Sequence, residues 1–185
     1  MSQSKILVDT NSYLRLAQSI KPLLFVPFGE NEYCLYVIPE LNNELERRHL
    51  KNKFSWVEDP EYKNDRAHYP SVGKKQKKSI QQTFEYLWDF VQTELPGPSR
   101  VDALYVAYAI ELNVHVVTDD EDMIQLAEAF GAKVMRSMEL LKLMHDAGHV
   151  DMEKIRAIVS YWRHIKDTPG QLTSQYRKLF GNDPP

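Results

Sequence analysis

Cysteine is almost absent from this sequence: Cys34 stands alone in 185 residues. That excludes an internal disulfide and any metal site built from several thiolates. Set in the apolar run Cys34–Ile38, it reads as a small buried hydrophobe. Long hydrophobic runs are missing too. Leu23–Phe28 and Val114–Val117 fall far short of the roughly 20 residues that a bilayer-spanning helix needs. The opening Met1–Lys5 lacks the charged, apolar, small-residue order of a secretion signal. A cytoplasmic protein with no membrane partner is therefore expected. No internal repeat is visible, and no low-complexity tract longer than Lys74–Lys78. Hydrophobic residues at 43% and charged residues at 26% match an ordinary globular chain and argue against disorder.

Strong net charge is also lacking, but the total of −3 conceals an uneven distribution. Between Arg47 and Lys78 there are ten Lys or Arg and four Asp or Glu, so this stretch carries +6 and the rest of the chain −9. An acidic body with a basic insert points toward nucleic acid as a partner, although a solvated loop would have the same composition.

The elements alternate. Lys5–Val8 reads as a strand, followed by Asp9, Thr10, Asn11 and Ser12, all helix-capping types, and then Tyr13–Leu16. Cys34–Ile38 is a second strand, with Pro39 at a first helical turn and the helix-forming Glu40–Arg48 behind it. From His49 to Lys78 the periodicity fades, which predicts an exposed and mobile connection. Ile80, Phe84, Leu87, Trp88 and Val91 then form the stripe of a core-facing helix, broken by Pro96-Gly97-Pro98. Ser99-Arg100-Val101-Asp102 has the capping-box form ahead of Ala103, Val106, Ala107 and Ile110. Val114–Val117 is a third strand, leading through Thr118–Asp122 into a helix with Met123, Leu126, Ala127 and Phe130 on one face and a stop at Gly131. Lys133–Arg136 is short enough for an edge strand and Met138–His145 for a further helix. Met152, Ile155, Ile158, Val159, Trp162 and Ile165 form a stripe that predicts docking on the domain, and Leu172–Phe180 a short last helix stopped at Gly181. The whole is an α/β pattern: a mainly parallel sheet with helices on its faces, whose binding crevice lies at the carboxyl ends of the strands.

The acids fall at those ends. Asp9 closes the first strand, Glu40 and Glu44 follow the second, Asp102 opens a helix beside the sheet, and Asp119, Asp120 and Asp122 follow the third. Each has a plain local use: Asp102 as a capping-box residue, Asp119 or Asp120 as a helix N-cap, Glu44 as a solvated helix residue. Asp9 is harder to explain so, because neutral caps follow it. Four carboxylates on one edge repel by on the order of 1 kcal/mol per close pair even in a water-like dielectric, and a hard divalent cation such as Mg²⁺ or Mn²⁺ relieves this. His145-Asp146-Ala147-Gly148-His149 is a poor zinc motif, since Gly148 disfavours the helix and no general-base Glu is present.

Val8-Asp9-Thr10-Asn11, Ile38-Pro39-Glu40 through Glu44-Leu45-Glu46, Asp102–Ala109 and Val116–Asp122 together resemble the motifs of the PIN-domain nucleases. The resemblance covers roughly Lys5 to Arg136, interrupted by residues 49–78. It implies a three-layer α/β/α fold over residues 1–150, with 151–185 as a C-terminal helical extension. It also implies Asp9, Glu44, Asp102 and Asp120 as the catalytic and metal-binding quartet for one or two Mg²⁺ or Mn²⁺ ions, with Asp122 auxiliary. Glu44 is preferred to Glu40 because the family's acid sits inside the helix just before a Leu. Asp119 stands where relatives more often carry Asn, which leaves the choice between Asp119 and Asp120 open. Thr10, Asn11 and Thr118 lie beside these acids and are expected to meet substrate, while Arg47, Arg48, Lys74 and Lys75, with Arg15 and Arg100, are expected to hold phosphates. Phe54, Trp56, Tyr62 and Tyr69 lie among the basic residues, where they either stack on unpaired bases or pin the connection to the core. The implied activity is metal-dependent hydrolysis of RNA phosphodiester bonds, in the manner of the toxin of a toxin–antitoxin pair, with a cognate antitoxin and a homodimer as further partners. The alternative is a non-catalytic RNA-binding module of a larger complex. A phospho-accepting signalling domain also gathers acids at strand ends, but no convincing Lys partner follows the last strand.

Overall fold

The computed structural model describes residues 3–185; Met1 and Ser2, the start of the stretch read above for a leader, lie outside it. Four strands, β1 (Ser4–Val8), β2 (Tyr33–Tyr36), β3 (His115–Val117) and β4 (Lys133–Met135), form an all-parallel sheet in the order β2-β1-β3-β4. The register pairs Ile6 with Leu35 on one side of β1 and with His115 on the other. Chain connections thus leave β1 in opposite directions, and the carboxyl ends of β1 and β3 flank the switch point where α/β sheets bind ligands.

Because successive strand residues point to opposite faces, the core divides in two. Ile6, Val8, Leu35, Val37 and Val117 face one layer, built from α1 (Thr10–Leu16), α2 (Glu40–Leu45), α8 (Ser137–Asp146), α9 (Met152–His164) and α10 (Leu172–Phe180). Leu7, Cys34, Tyr36, Ile38 and Val116 face the other, built from α5 (Lys74–Thr93), α6 (Arg100–Leu112) and α7 (Glu121–Ala129). The expected α/β class and three layers hold. Ile80, Phe84, Leu87 and Val91 of α5 are buried, each side chain contributing about 1.5–3 kcal/mol of hydrophobic stabilisation. The C-terminal stripe docks as expected: Ile155, Ile158, Val159 and Trp162 share one core with β1.

Residues 49–78 depart from expectation. Most of them are exposed, as expected, but they are not a plain connection: they carry α3 (Arg48–Lys53), a 3₁₀ turn (Ser55–Glu58), α4 (Pro60–Asp65) and the first turn of α5. The order comes from a buried guanidinium. Arg66 donates to the Asn42 carboxamide at 3.1 Å, the Tyr13 hydroxyl at 3.0 Å and the Val57 carbonyl at 2.7 Å, and its charge lies over the Tyr13 ring. Val57 and Tyr62 are buried beside it, with Phe54 and Trp56 packed on the same core. Tyr62 is therefore no stacking platform for a base, and Phe54 and Trp56 pin the segment; Tyr69 alone of the four has an exposed ring. Among the described residues no helix is long and apolar enough to cross a membrane.

Candidate active site

The sheet itself delivers Asp9. Its amide donates to the Val117 carbonyl at 3.0 Å, continuing the β1–β3 ladder by one bond and setting its side chain beside Thr118. The carboxylate caps α1, accepting from the Ser12 amide at 2.7 Å, and Thr118 and the Ser12 hydroxyl also bond it. Thr118 is fully buried and accepts from the Asp120 amide at 3.1 Å, so one hydroxyl links two of the predicted acids. Burial pushes the Asp9 carboxyl from 3.8 up to about 7; its hydrogen bonds pull the other way, and the nearby charge of Asp119 adds to the rise.

Glu44, in the last turn of α2, accepts from the Thr10 hydroxyl at 2.5 Å and lies 3.6 Å from Arg47. The Thr10 bond ties it to the residue after Asp9. Asp102 is held in the capping box that the sequence predicts, accepting from the Ser99 amide at 2.7 Å while its own amide donates to the Ser99 hydroxyl. Its pKa is raised, first by burial and then by the charges of Asp120 and Glu44, which places all three within electrostatic reach of one another. Asp120 caps α7, accepting from the Met123 amide at 3.0 Å. Each cap engages one oxygen. Asp102 Oδ1 and Asp120 Oδ2 accept no hydrogen bond among the described residues.

Asp119 and Asp120 touch different partners. Asp119 is spent on structure: one oxygen lies 3.3 Å from Arg15 and the other accepts from the Ser137 amide at 3.1 Å, at the start of α8. Arg15 reaches Asp167 as well, also at 3.3 Å, and so joins the strand edge to the C-terminal segment. It is a bridge rather than the free phosphate ligand expected. Arg100 is likewise engaged, lying 4.6 Å from the Phe84 ring centroid. Asp122, the expected auxiliary acid, packs its carboxylate on Gly97, where an added Cβ would fall 2.7 Å from the carboxyl carbon. Asn11, Arg47, Arg48, Lys74 and Lys75 are exposed. The two lysines stand in the first turn of α5, where the helix dipole disfavours cations.

One residue at the centre of the site was missed. Tyr105 is wholly buried, its hydroxyl has no hydrogen-bond partner, and its pKa is raised well above the usual phenol range by burial and then by the charge of Asp9, with Glu44 and Glu40 adding to the rise. It is a core residue of α6 within electrostatic reach of the acids. The available signal was its spacing: a residue three after Asp102 on a helix shares its face.

The donor set, all carboxylate oxygen with two oxygens free and a buried tyrosine hydroxyl unpartnered nearby, has the chemistry a hard divalent cation requires. Among the described residues no three acidic, histidine or cysteine side chains stand close enough to enclose an ion as placed. The caps hold each acid at its own element. No protein-family model matches the chain, and no curated protein matches it at a significant level.

Proposed function

We propose that the chain is a PIN-type, metal-dependent endoribonuclease. One observation carries this reading: four segments distant in sequence deliver Asp9, Glu44, Asp102 and Asp120 to one edge of a parallel sheet, at its switch point, with no cation paired to Asp9, Asp102 or Asp120 among the described residues. Those four residues would hold the ion. When bound, Mg²⁺ or Mn²⁺ supplies the activated water and the positive charge that phosphodiester hydrolysis needs. Mg²⁺ keeps several waters and takes only one or two carboxylates directly, which suits acids gathered loosely rather than in a closed cage.

The chain's own residues orient and insulate. Ser12 and Thr118 fix the Asp9 carboxylate, Thr10 fixes Glu44, and the buried Tyr105 lies within reach of their charges. Lys74, Lys75 and Arg48, all solvent-facing and outside any ion pair among the described residues, are free to meet RNA phosphates, and Arg47, also exposed, stands beside Glu44.

The test is cleavage of single-stranded RNA in Mg²⁺, in Mn²⁺ and in EDTA by the native chain and by Asp102→Asn. Cleavage should vanish in EDTA and fall by about a hundredfold or more in the variant. Equal metal-dependent cleavage by both chains overturns the reading. A non-catalytic RNA-binding module is the second reading, favoured by the caps that keep the acids from enclosing an ion as placed; RNA binding with no cleavage in any metal would establish it.

A further inference from the structure

A cavity of about 580 Å³ opens between the start of α2, the segment 69–72 and the outer helices α5 and α6. Its size falls within the roughly 300–1,000 Å³ typical of small-molecule sites. The residues that decide its chemistry are Glu40, Tyr69, Lys77, Leu104 and Tyr108. It adjoins the acid edge: Glu40, which lines it, stands one helical turn before Glu44 on α2, and Glu44 is bonded to Thr10, next to Asp9.

Glu40 is the anomaly here. Its Oε2 is buried without a hydrogen-bond partner, and among the described residues no protein donor reaches either oxygen. Glu40 itself is half-buried, so this oxygen, shut in and unpaired at the wall of an open cavity, is placed to take a donor that a ligand brings. The wall opposite is preset. The Tyr69 hydroxyl accepts from the Asn42 amide at 2.7 Å, Asn42 is itself held by Arg66, and the Tyr69 ring remains 38% exposed.

We propose that this cavity receives an unpaired guanine base of single-stranded RNA, with its Watson–Crick edge on the Glu40 carboxylate. A carboxylate only accepts, and guanine alone among the four RNA bases presents two adjacent donors, N1–H and the N2 amine, on that edge. Adenine and cytosine place an acceptor nitrogen beside their single amine, and uracil flanks its one N–H with carbonyls, so each would set lone pairs against Glu40. Tyr69 offers a face for stacking, Leu104 an apolar wall, and Lys77 a charge for a flanking phosphate. The choice of RNA over a free nucleotide rests on the reading of the adjoining edge as a ribonuclease site.

Binding of short oligouridines carrying one central guanosine, inosine, adenosine or uridine, measured by fluorescence anisotropy in EDTA, separates base recognition from cleavage. The guanosine strand should bind about tenfold tighter than the all-uridine strand, and inosine, which lacks the N2 amine, should lose most of that gain. Glu40→Gln should bind the all-uridine strand as the native chain does and lose the guanosine advantage. No guanosine advantage in the native chain overturns the proposal, as does an advantage kept in full by inosine or by Glu40→Gln. Guanosine monophosphate binding as tightly as the oligonucleotide overturns the assignment to RNA. Metal-dependent cleavage without guanosine preference sinks the pocket and leaves the nuclease reading; preference without cleavage sinks the nuclease and leaves the pocket.

Discussion

Two buried charged regions flank α1, and they are treated in opposite ways. On one side the Arg66 guanidinium is surrounded by neutral acceptors at 2.7–3.1 Å and a tyrosine face, and around it a segment with little sequence periodicity becomes ordered. On the other side Asp9 is buried and Asp102 half-buried near further acids, with hydrogen bonds from caps but no cation among the described residues. A buried ion whose donors or acceptors are all matched acts as a structural fastening. A buried group of like charges left uncompensated stores unfavourable energy that a cation can relieve. The contrast between filled and unfilled electrostatic demand separates scaffold from site more sharply than burial does.

The strongest way to break this comparison is Arg66→Met, which keeps bulk but removes the donors. It leaves the Val57 carbonyl, Asn42 and Tyr13 unmatched and should lower unfolding stability by about 4 kcal/mol in urea titration. An unchanged midpoint would show that the aromatic packing alone orders residues 49–73.

Asp9→Asn tests the other side and should act in the reverse sense. The native carboxyl has a folded pKa of about 7 against an ordinary 3.8, so the fold favours its protonated form. Stability is greatest at low pH and is lost as pH rises from about 4 through 7, and the amide variant escapes that loss. In metal-free buffer at pH 8 Asp9→Asn should be more stable by on the order of 2–3 kcal/mol, with a much smaller gain at pH 5. Native and variant melting curves that differ equally at both values would remove the claim.

The smallest effect sharpens the contrast. Lys63 pairs with Glu58 at 2.9 Å on the surface of the same segment that Arg66 orders, but both side chains are well exposed. Exposed pairs contribute little. Lys63→Ala should leave the urea midpoint where it is, and a clear drop would mean that surface charge shares in ordering the segment.

Much of the fold could be read ahead of the structure. The four strands, their parallel arrangement and the Ser99–Asp102 capping box followed from apolar runs and capping residues, because those signals are local. Placement of the acids at strand ends was also legible, since a parallel sheet sends every strand's carboxyl end to one edge. What escaped was decided by contacts distant in sequence. Nothing near Arg66 announces a buried arginine, because its acceptors come from Tyr13, Asn42 and Val57. Arg15 reads as a free cation until Asp119 and Asp167 are seen on either side of it. Glu40 could be weighed only as a rival to Glu44, for a cavity shared by α2, α5 and α6 has no signature in any one of them.

The pairing of β1 with β3 bears on when the acid edge can be assembled during synthesis. Leu7 aligns with Val116, more than a hundred residues downstream, and Asp9 takes its backbone partner from Val117. Contacts of such separation form late, since the loop between them must close before any bond rewards it. On the ribosome, the first strand and its acid must wait until residues 115–120 have cleared the exit tunnel. A nascent chain therefore displays Asp9 and Glu44 long before Asp102 and Asp120 can join them, and the edge is assembled only once all four segments have emerged.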